Sequence, residues 1–174
     1  GCESVRGTDS CGGGVGLLED RVGDGRVRDG LGDLLADDVF LLPDGPRVLD
    51  CLDFDDHLRW MDVVDDVASL VMDLERLGAP EVGEQLVHDY HEFSGAVEPA
   101  SLSNHYVAYR AVMRAKVAAI RESTTSGGPG EAAALEAGAL AQLGLRHLRA
   151  GLPRLVLVGG APGSGKSTVA EVVC

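Results

Sequence analysis

The residues best suited to chemistry in this chain are residues 160–167, which read Gly-Ala-Pro-Gly-Ser-Gly-Lys-Ser. This run fits G-x-x-x-x-G-K-[ST], the pattern of a phosphate-binding loop. Its glycines allow successive backbone N–H groups to turn toward a polyphosphate, and a following helix adds the positive end of its dipole. The pattern therefore predicts that this loop binds the phosphates of a nucleotide.

Each residue of the loop has an expected role. Lys166 should reach the outer phosphates, and the Ser167 hydroxyl should hold Mg²⁺. We therefore predict bound ATP and Mg²⁺, with contacts from Gly160, Ala161, Pro162, Gly163, Ser164, Gly165, Lys166, Ser167 and Thr168. The apolar residues 155–158 predict the strand before the loop, and residues 168–171 predict the start of a helix. The alternative is a Gly-rich surface loop before a short helix.

The motif lies close to the last residue, with only Thr168 to Cys174 after it. A parallel strand needs partner strands reached through crossovers, so a single strand, loop and helix cannot bury its faces. The chain also begins with Gly1 rather than Met. We expect a fragment that carries the opening of a nucleotide-binding domain.

A second group of residues with chemical potential flanks a predicted β-hairpin. Two short apolar strands, residues 39–42 and 47–49, are joined by the turn-forming sequence Pro-Asp-Gly-Pro. Asp38 precedes the first strand and Asp50 follows the second. Because antiparallel pairing brings these ends side by side, both carboxylates should emerge at one end of the hairpin. Carboxylate oxygens are ligands that Mg²⁺ prefers.

Asp33 lies five residues before Asp38. An Asp, a polar ligand five residues later, a hairpin and another Asp form the layout of a protein-kinase catalytic loop and metal site. In that chemistry Asp33 would accept the proton of the substrate hydroxyl. Asp38 and Asp50 would hold Mg²⁺ against the phosphates of ATP.

These segments resemble the aminoglycoside phosphotransferase-like kinases. Residues 26–35 (RVRDGLGDLL) are similar to the H-G-D-L-H loop region, and residues 49–56 and 109–116 continue the match. Over residues 20–174 the chain is similar to the junction in bacterial two-part proteins between a phosphotransferase-like domain and a P-loop ATP-binding domain. The resemblance implies that Asp33 is catalytic, that Asp38 and Asp50 are the metal-ligand positions, and that Asp66 braces the catalytic loop.

The chain departs from the family pattern at three positions. Leu31 stands where the family has His, Leu35 where it often has a second His, and Asp38 where it usually has Asn. The two leucines support an alternative hypothesis, a catalytically inactive kinase-like scaffold or interaction module. If the lobe is an active kinase, its partners are a nucleotide and a small-molecule phosphoryl acceptor. The identity of the acceptor stays open, because a fold does not fix a substrate.

The resemblance and the remaining pattern together imply a domain organisation. Residues 1–25 are expected to be disordered or a truncated edge, 26–122 a phosphotransferase-like lobe, 123–152 a linker and helix, and 153–174 the start of a P-loop domain. Apolar spacing predicts helices near residues 63–77, 81–93, 101–121 and 131–150. The predicted fold class is an α+β kinase-like C-terminal lobe, a hairpin plus helical bundle, followed by the first strand, P-loop and helix of an α/β domain.

Composition and charge indicate which classes of partner the chain binds and in which cell compartment it lies. A net charge of −13 argues against binding a nucleic acid or an anionic membrane by bulk electrostatics. No apolar run approaches a membrane span, and the first residues do not read as a secretion signal. The four cysteines share no C-x-x-C spacing, which predicts reduced thiols in a cytoplasmic protein.

Overall fold

The computed structural model describes residues 13–95, 98–124, 127–152 and 157–173, most of which are helical. In chain order its elements are α1 (Gly13–Gly23), β1 (Val27–Asp29), β2 (Val39–Leu42), β3 (Gly45–Val48), β4 (Trp60–Asp62), α2 (Val63–Arg76), α3 (Pro80–Ser94), α4 (Ala100–Thr124), α5 (Gly128–Ala150) and α6 (Lys166–Val173). Short 3-10 turns lie at Ala36–Asp38 and Asp56–Arg59. The strands form two antiparallel pairs, β1 with β4 and β2 with β3.

The hydrophobic core lies where α2, α4 and α5 meet. Its buried side chains are Ala68, Val71, Met72, Val107, Ala111, Leu140 and Leu143. Gly144 allows close packing, since a Cβ there would lie 3.3 Å from the backbone oxygen of Ala108. The helix predicted as part of a linker, α5, therefore belongs to the same core as α2 and α4.

The four predicted helices are confirmed, with ends that shift by up to three residues. Helix α3 begins with Pro80, whose missing N–H would have no partner in a first turn. It ends at Gly95, whose φ of 62° is a left-handed conformation that suits glycine. The predicted linker is shorter than expected, because α4 extends to Thr124 and α5 begins at Gly128.

The buried face of α2 differs from its stripe of large apolar residues. At helical spacing these residues are Val63, Val67, Leu70, Leu74 and Leu77, whereas the buried side chains include Ala68, Met72, Asp65, Ser69 and Asp73. Neighbouring helices cover a wide arc of α2, and part of that arc carries polar groups with partners inside the protein. A pattern of large apolar residues alone does not find them.

The predicted hairpin is present, with a tighter turn than expected. Val39 pairs with Val48 and Leu42 pairs with Gly45, so only Pro43 and Asp44 connect the strands. Gly45 has a φ of 124°, which favours glycine at this corner. At the other end of the hairpin, the N–H of Leu49 donates to the Asp38 carbonyl at 3.0 Å.

Within residues 1–25, predicted to be disordered or a truncated edge, residues 13–23 form helix α1, while residues 1–12 lie outside the described part of the chain. Helix α1 is anchored by Arg21, whose guanidinium binds both carboxylate oxygens of Asp62, at 2.7 Å for the Nη2–Oδ1 contact. This carboxylate raises the pKa of Arg21. Asp62 also caps α2 by accepting from the N–H of Val64 at 3.0 Å.

Replacing Arg21 by Leu should destabilise the fold, because the Asp62 side chain is only 4% exposed and would lose its ionic partner. Removing one member of a buried pair costs about 3–5 kcal/mol. Urea unfolding measures the change. The control is Arg47→Leu, which breaks the exposed pair with Asp44 and should cost about 1 kcal/mol or less. Equal effects of the two variants would show that the Arg21 pair does not anchor α1.

Candidate functional site

The loop that carries Asp33 is held by a carboxylate of α2. Asp66 Oδ2 accepts from the N–H of Leu31 at 2.7 Å, and Oδ1 accepts from the N–H of Gly32 at 2.9 Å. Gly30 must be small here, since a Cβ would lie 2.2 Å from Asp66 Oδ2. Asp66 therefore makes the bracing contact that the resemblance implies.

Arg110 of α4 holds the same loop from the other side. Its Nε donates to Asp65 Oδ1 at 2.6 Å, and its Nη1 donates to the carbonyl of Gly32 at 2.5 Å. Burial raises the pKa of Asp65, while the bond to Arg110 opposes that rise. In the sequence analysis Arg110 lies in residues 109–116, which continue the family resemblance. Its bond to the loop carbonyl was missed, because 78 residues separate the two partners.

Two further bonds fix the loop. The N–H of Ala36 donates to Asp73 Oδ2 at 3.0 Å, and the N–H of Leu52 donates to the carbonyl of Leu31 at 2.9 Å. Asp73 is itself paired with Arg76 at 2.7 Å. The loop thus depends on side chains from α2 and α4 rather than on a sheet or helix of its own.

The three aspartates predicted as site residues line one cavity of about 200 Å³, together with Leu31, Leu35, Cys51, Leu52 and Arg114. Asp38 is oriented by the N–H of Leu35, which donates to its Oδ2 at 2.9 Å. Asp33 lies 3.6 Å from Arg114, measured from Oδ2 to Nη2. The structure therefore brings Asp33, Asp38 and Asp50 to a common cavity.

Asp50 has a backbone conformation that residues other than glycine rarely adopt. Its φ is 70°, a left-handed value that Asp tolerates better than most residues. Backbone strain of this kind costs about 1–3 kcal/mol and clusters at functional sites. Here it occurs two residues after the end of β3, at a residue that lines the cavity.

The carboxylates of this cavity do not form a compact trio of ligands. Among the described residues, the group whose three ligand atoms all lie within 4.8 Å of one another is His88, Asp89 and Glu92 on α3. The sequence reading missed that cluster, although the i, i+4 spacing of His88 and Glu92 could have indicated it. In the acidic cavity, Asp38 and Asp50 are the candidate metal ligands and Asp33 faces Arg114.

Two glycines of residues 160–167 have left-handed backbone conformations. Gly163 and Gly165 have φ values of 79° and 80°, and a Cβ on Gly160 would lie 2.5 Å from Ser164 Oγ. Lys166 begins α6, and its Nζ donates to the carbonyls of Gly160 and Ala161 at 2.8 and 2.9 Å. Ser167 and Thr168 follow in the exposed first turn.

Of the strand predicted over residues 155–158, Leu155 and Val156 lie outside the described part of the chain. Leu157 and Val158 are described and are not in a strand.

None of the helices in the described ranges has the length and apolar character needed to cross a bilayer.

Comparison with known proteins gives relatives without a stated activity. Uncharacterized proteins of Mycobacterium bovis and of two strains of Mycobacterium tuberculosis are each 48% identical to this chain over 157 residues. The match covers 90% of this chain and 31% of each relative, so the chain spans about a third of the length of these curated relatives. No family model and no solved structure matches it.

Replacing Asp66 by Asn should loosen the loop, because an amide has one acceptor oxygen for two backbone N–H groups. An unsatisfied buried donor costs about 1–3 kcal/mol. Hydrogen exchange at Leu31 and Gly32 measures the effect directly and should become faster. The control is Asp56→Asn on an exposed turn, which should leave exchange at both amides unchanged. Unaltered exchange in Asp66→Asn would contradict the bracing role.

Proposed function

We propose that this chain binds ATP with Mg²⁺ through residues 160–167. The observation that carries this proposal is the conformation of the loop: two glycines occupy left-handed positions, and Lys166 lies over the loop at the start of a helix. Such a loop presents backbone N–H groups and an ammonium to a polyphosphate. Ser167, one residue further, supplies the hydroxyl for Mg²⁺.

We further propose that the cavity of Asp33, Asp38 and Asp50 is the phosphoryl-transfer centre of a kinase-like lobe in a longer protein. The hairpin and helical bundle would form the C-terminal part of that lobe. Asp33 would accept the proton of the attacking hydroxyl, and Asp38 and Asp50 would hold Mg²⁺ on the phosphates. Their different settings support these roles, because Asp33 faces Arg114 while Asp38 and Asp50 flank the hairpin.

A second candidate function is a kinase-like scaffold without activity. It is favoured by Leu31 and Leu35, whose apolar side chains line the acidic cavity itself. Apolar groups at these positions offer no hydrogen bond to a phosphate. The two functions differ in whether the cavity binds a divalent ion.

The substitution Lys166→Ala should weaken Mg·ATP binding by about tenfold or more, since hydrogen bonds to charged groups contribute about 1.5–3 kcal/mol. Calorimetry with ATP, in Mg²⁺ and then in EDTA, measures the affinity. The matched control is Lys116→Ala, which removes the other lysine of the chain from an exposed position on α4. If both variants bind as tightly as the unchanged chain, the loop is not the nucleotide site.

The substitution Asp50→Asn should weaken Mn²⁺ binding in the absence of nucleotide, because it removes one carboxylate from the cavity. Asn also tolerates the left-handed backbone, so the local conformation should persist. Electron paramagnetic resonance of free Mn²⁺ measures the affinity. Asp53→Asn, a nearby exposed carboxylate, serves as the control for bulk charge. Equal losses in the two variants would leave the scaffold function as the better account.

A further inference from the structure

A second cavity, of about 360 Å³, lies beside the acidic one. Asp33, Leu52 and Arg114 line both cavities. Asp33 therefore stands at the boundary, with Asp38 and Asp50 on one side and a different set of residues on the other. The volume falls in the range of pockets that hold small molecules, about 300–1,000 Å³.

The second cavity has mainly apolar walls. They come from the segment after Asp50 and from α4, and comprise Leu52, Phe54, Leu58, Tyr109, Met113 and Val117. Phe54 is 75% exposed and Tyr109 is 46% exposed, so these side chains are not part of the hydrophobic core. Apolar and aromatic groups around a few polar ones are typical of ligand sites.

Each arginine of this cavity lies beside a carboxylate, although the whole chain carries a net charge of −13. Arg110 is occupied by Asp65 and by the carbonyl of Gly32. Arg114 faces Asp33 at 3.6 Å, so the carboxylate at the boundary already has a cation beside it. A ligand with several positive charges would meet one carboxylate and two arginines there.

We propose that this cavity receives the phosphoryl acceptor, and that the acceptor is a neutral, largely apolar compound with a hydroxyl group. The assignment rests on the proposed phosphotransferase function. The acceptor hydroxyl oxygen forms a bond to the γ-phosphorus of ATP while the bond from that phosphorus to the β-bridging oxygen breaks. Asp33 takes the hydroxyl proton, and ADP leaves with the bonding electron pair.

The methionines of the chain make binding in this cavity measurable. There are three, at positions 61, 72 and 113. Met113 lines the cavity, whereas Met72 lies in the core with no exposed surface. With ¹³C-methyl methionine, 4-phenylbutan-1-ol should shift the Met113 signal saturably and leave Met72 in place. The cation of the same skeleton, 4-phenylbutan-1-amine, should bind several-fold more weakly.

A variant with a matched control locates the effect. Val117→Asp places a charge in the cavity wall and should weaken binding of the alcohol by about tenfold, or about 1.4 kcal/mol. Ile120→Asp adds the same charge three residues further along α4, at a side chain of similar exposure, and should change affinity less than twofold. A shift of the Met72 signal in Val117→Asp would mean that the substitution disturbs the core. In that case Leu58→Asp, in the 3-10 turn that lines the same cavity, is used in place of Val117→Asp.

Three results would overturn the assignment. One is the absence of a saturable Met113 shift with the alcohol, and another is tighter binding of the amine. The third is a Met113 signal that shifts when the protein is diluted without any ligand. Such a shift would show that this face is a contact between copies of the chain. None of these results affects Mg·ATP binding through Lys166, so failure of this inference is distinguishable from failure of the proposed nucleotide site.

Discussion

The loop of residues 30–38 depends on carboxylates that α2 supplies. Buried backbone N–H groups need partners, and apart from the 3-10 turn at Ala36–Asp38 this loop has no regular structure to provide them. Asp66 and Asp73 accept from three of its N–H groups, and Arg110 donates to its Gly32 carbonyl. The acidic residues near the start of α2 are also favoured by the positive end of the helix dipole. The same charges therefore stabilise the helix and shape the candidate site.

The hairpin completes that site by a different constraint. Pairing of Val39 with Val48 brings Asp38 and Asp50 to the same end of the hairpin. The left-handed φ of Asp50 then redirects the backbone after β3. The segment that follows returns to Leu31 through the N–H of Leu52. The carboxylates of Asp38 and Asp50 thus lie on one side of Asp33, and the exposed apolar residues of α4 lie on the other. An acidic cavity and an apolar cavity meet at this one carboxylate.

Sequence reasoning succeeded where the signal was local. The hairpin turn, the helix spacings and the glycines of residues 160–167 each act within a few residues of chain. It failed where partners are distant: α1 was missed because its glycines are typical of disorder, and its anchor joins Arg21 to Asp62 across 41 residues. The pairing of β1 with β4 was missed for the same reason. Bonds to Asp65 and Asp73 on α2 are likewise invisible to a pattern of apolar residues, which explains the shifted face of that helix.

The proposed nucleotide site depends on the backbone amides of residues 160–167, which would hold the phosphates of ATP. Amide signals of Gly163 and Gly165 in ¹H–¹⁵N spectra, followed during titration with Mg·ATP, test this role directly. We expect both signals to move downfield and saturate together, whereas AMP, which lacks the β- and γ-phosphates, should have a much weaker effect. Amide signals that stay unchanged at saturating Mg·ATP, or that respond equally to AMP, would contradict it.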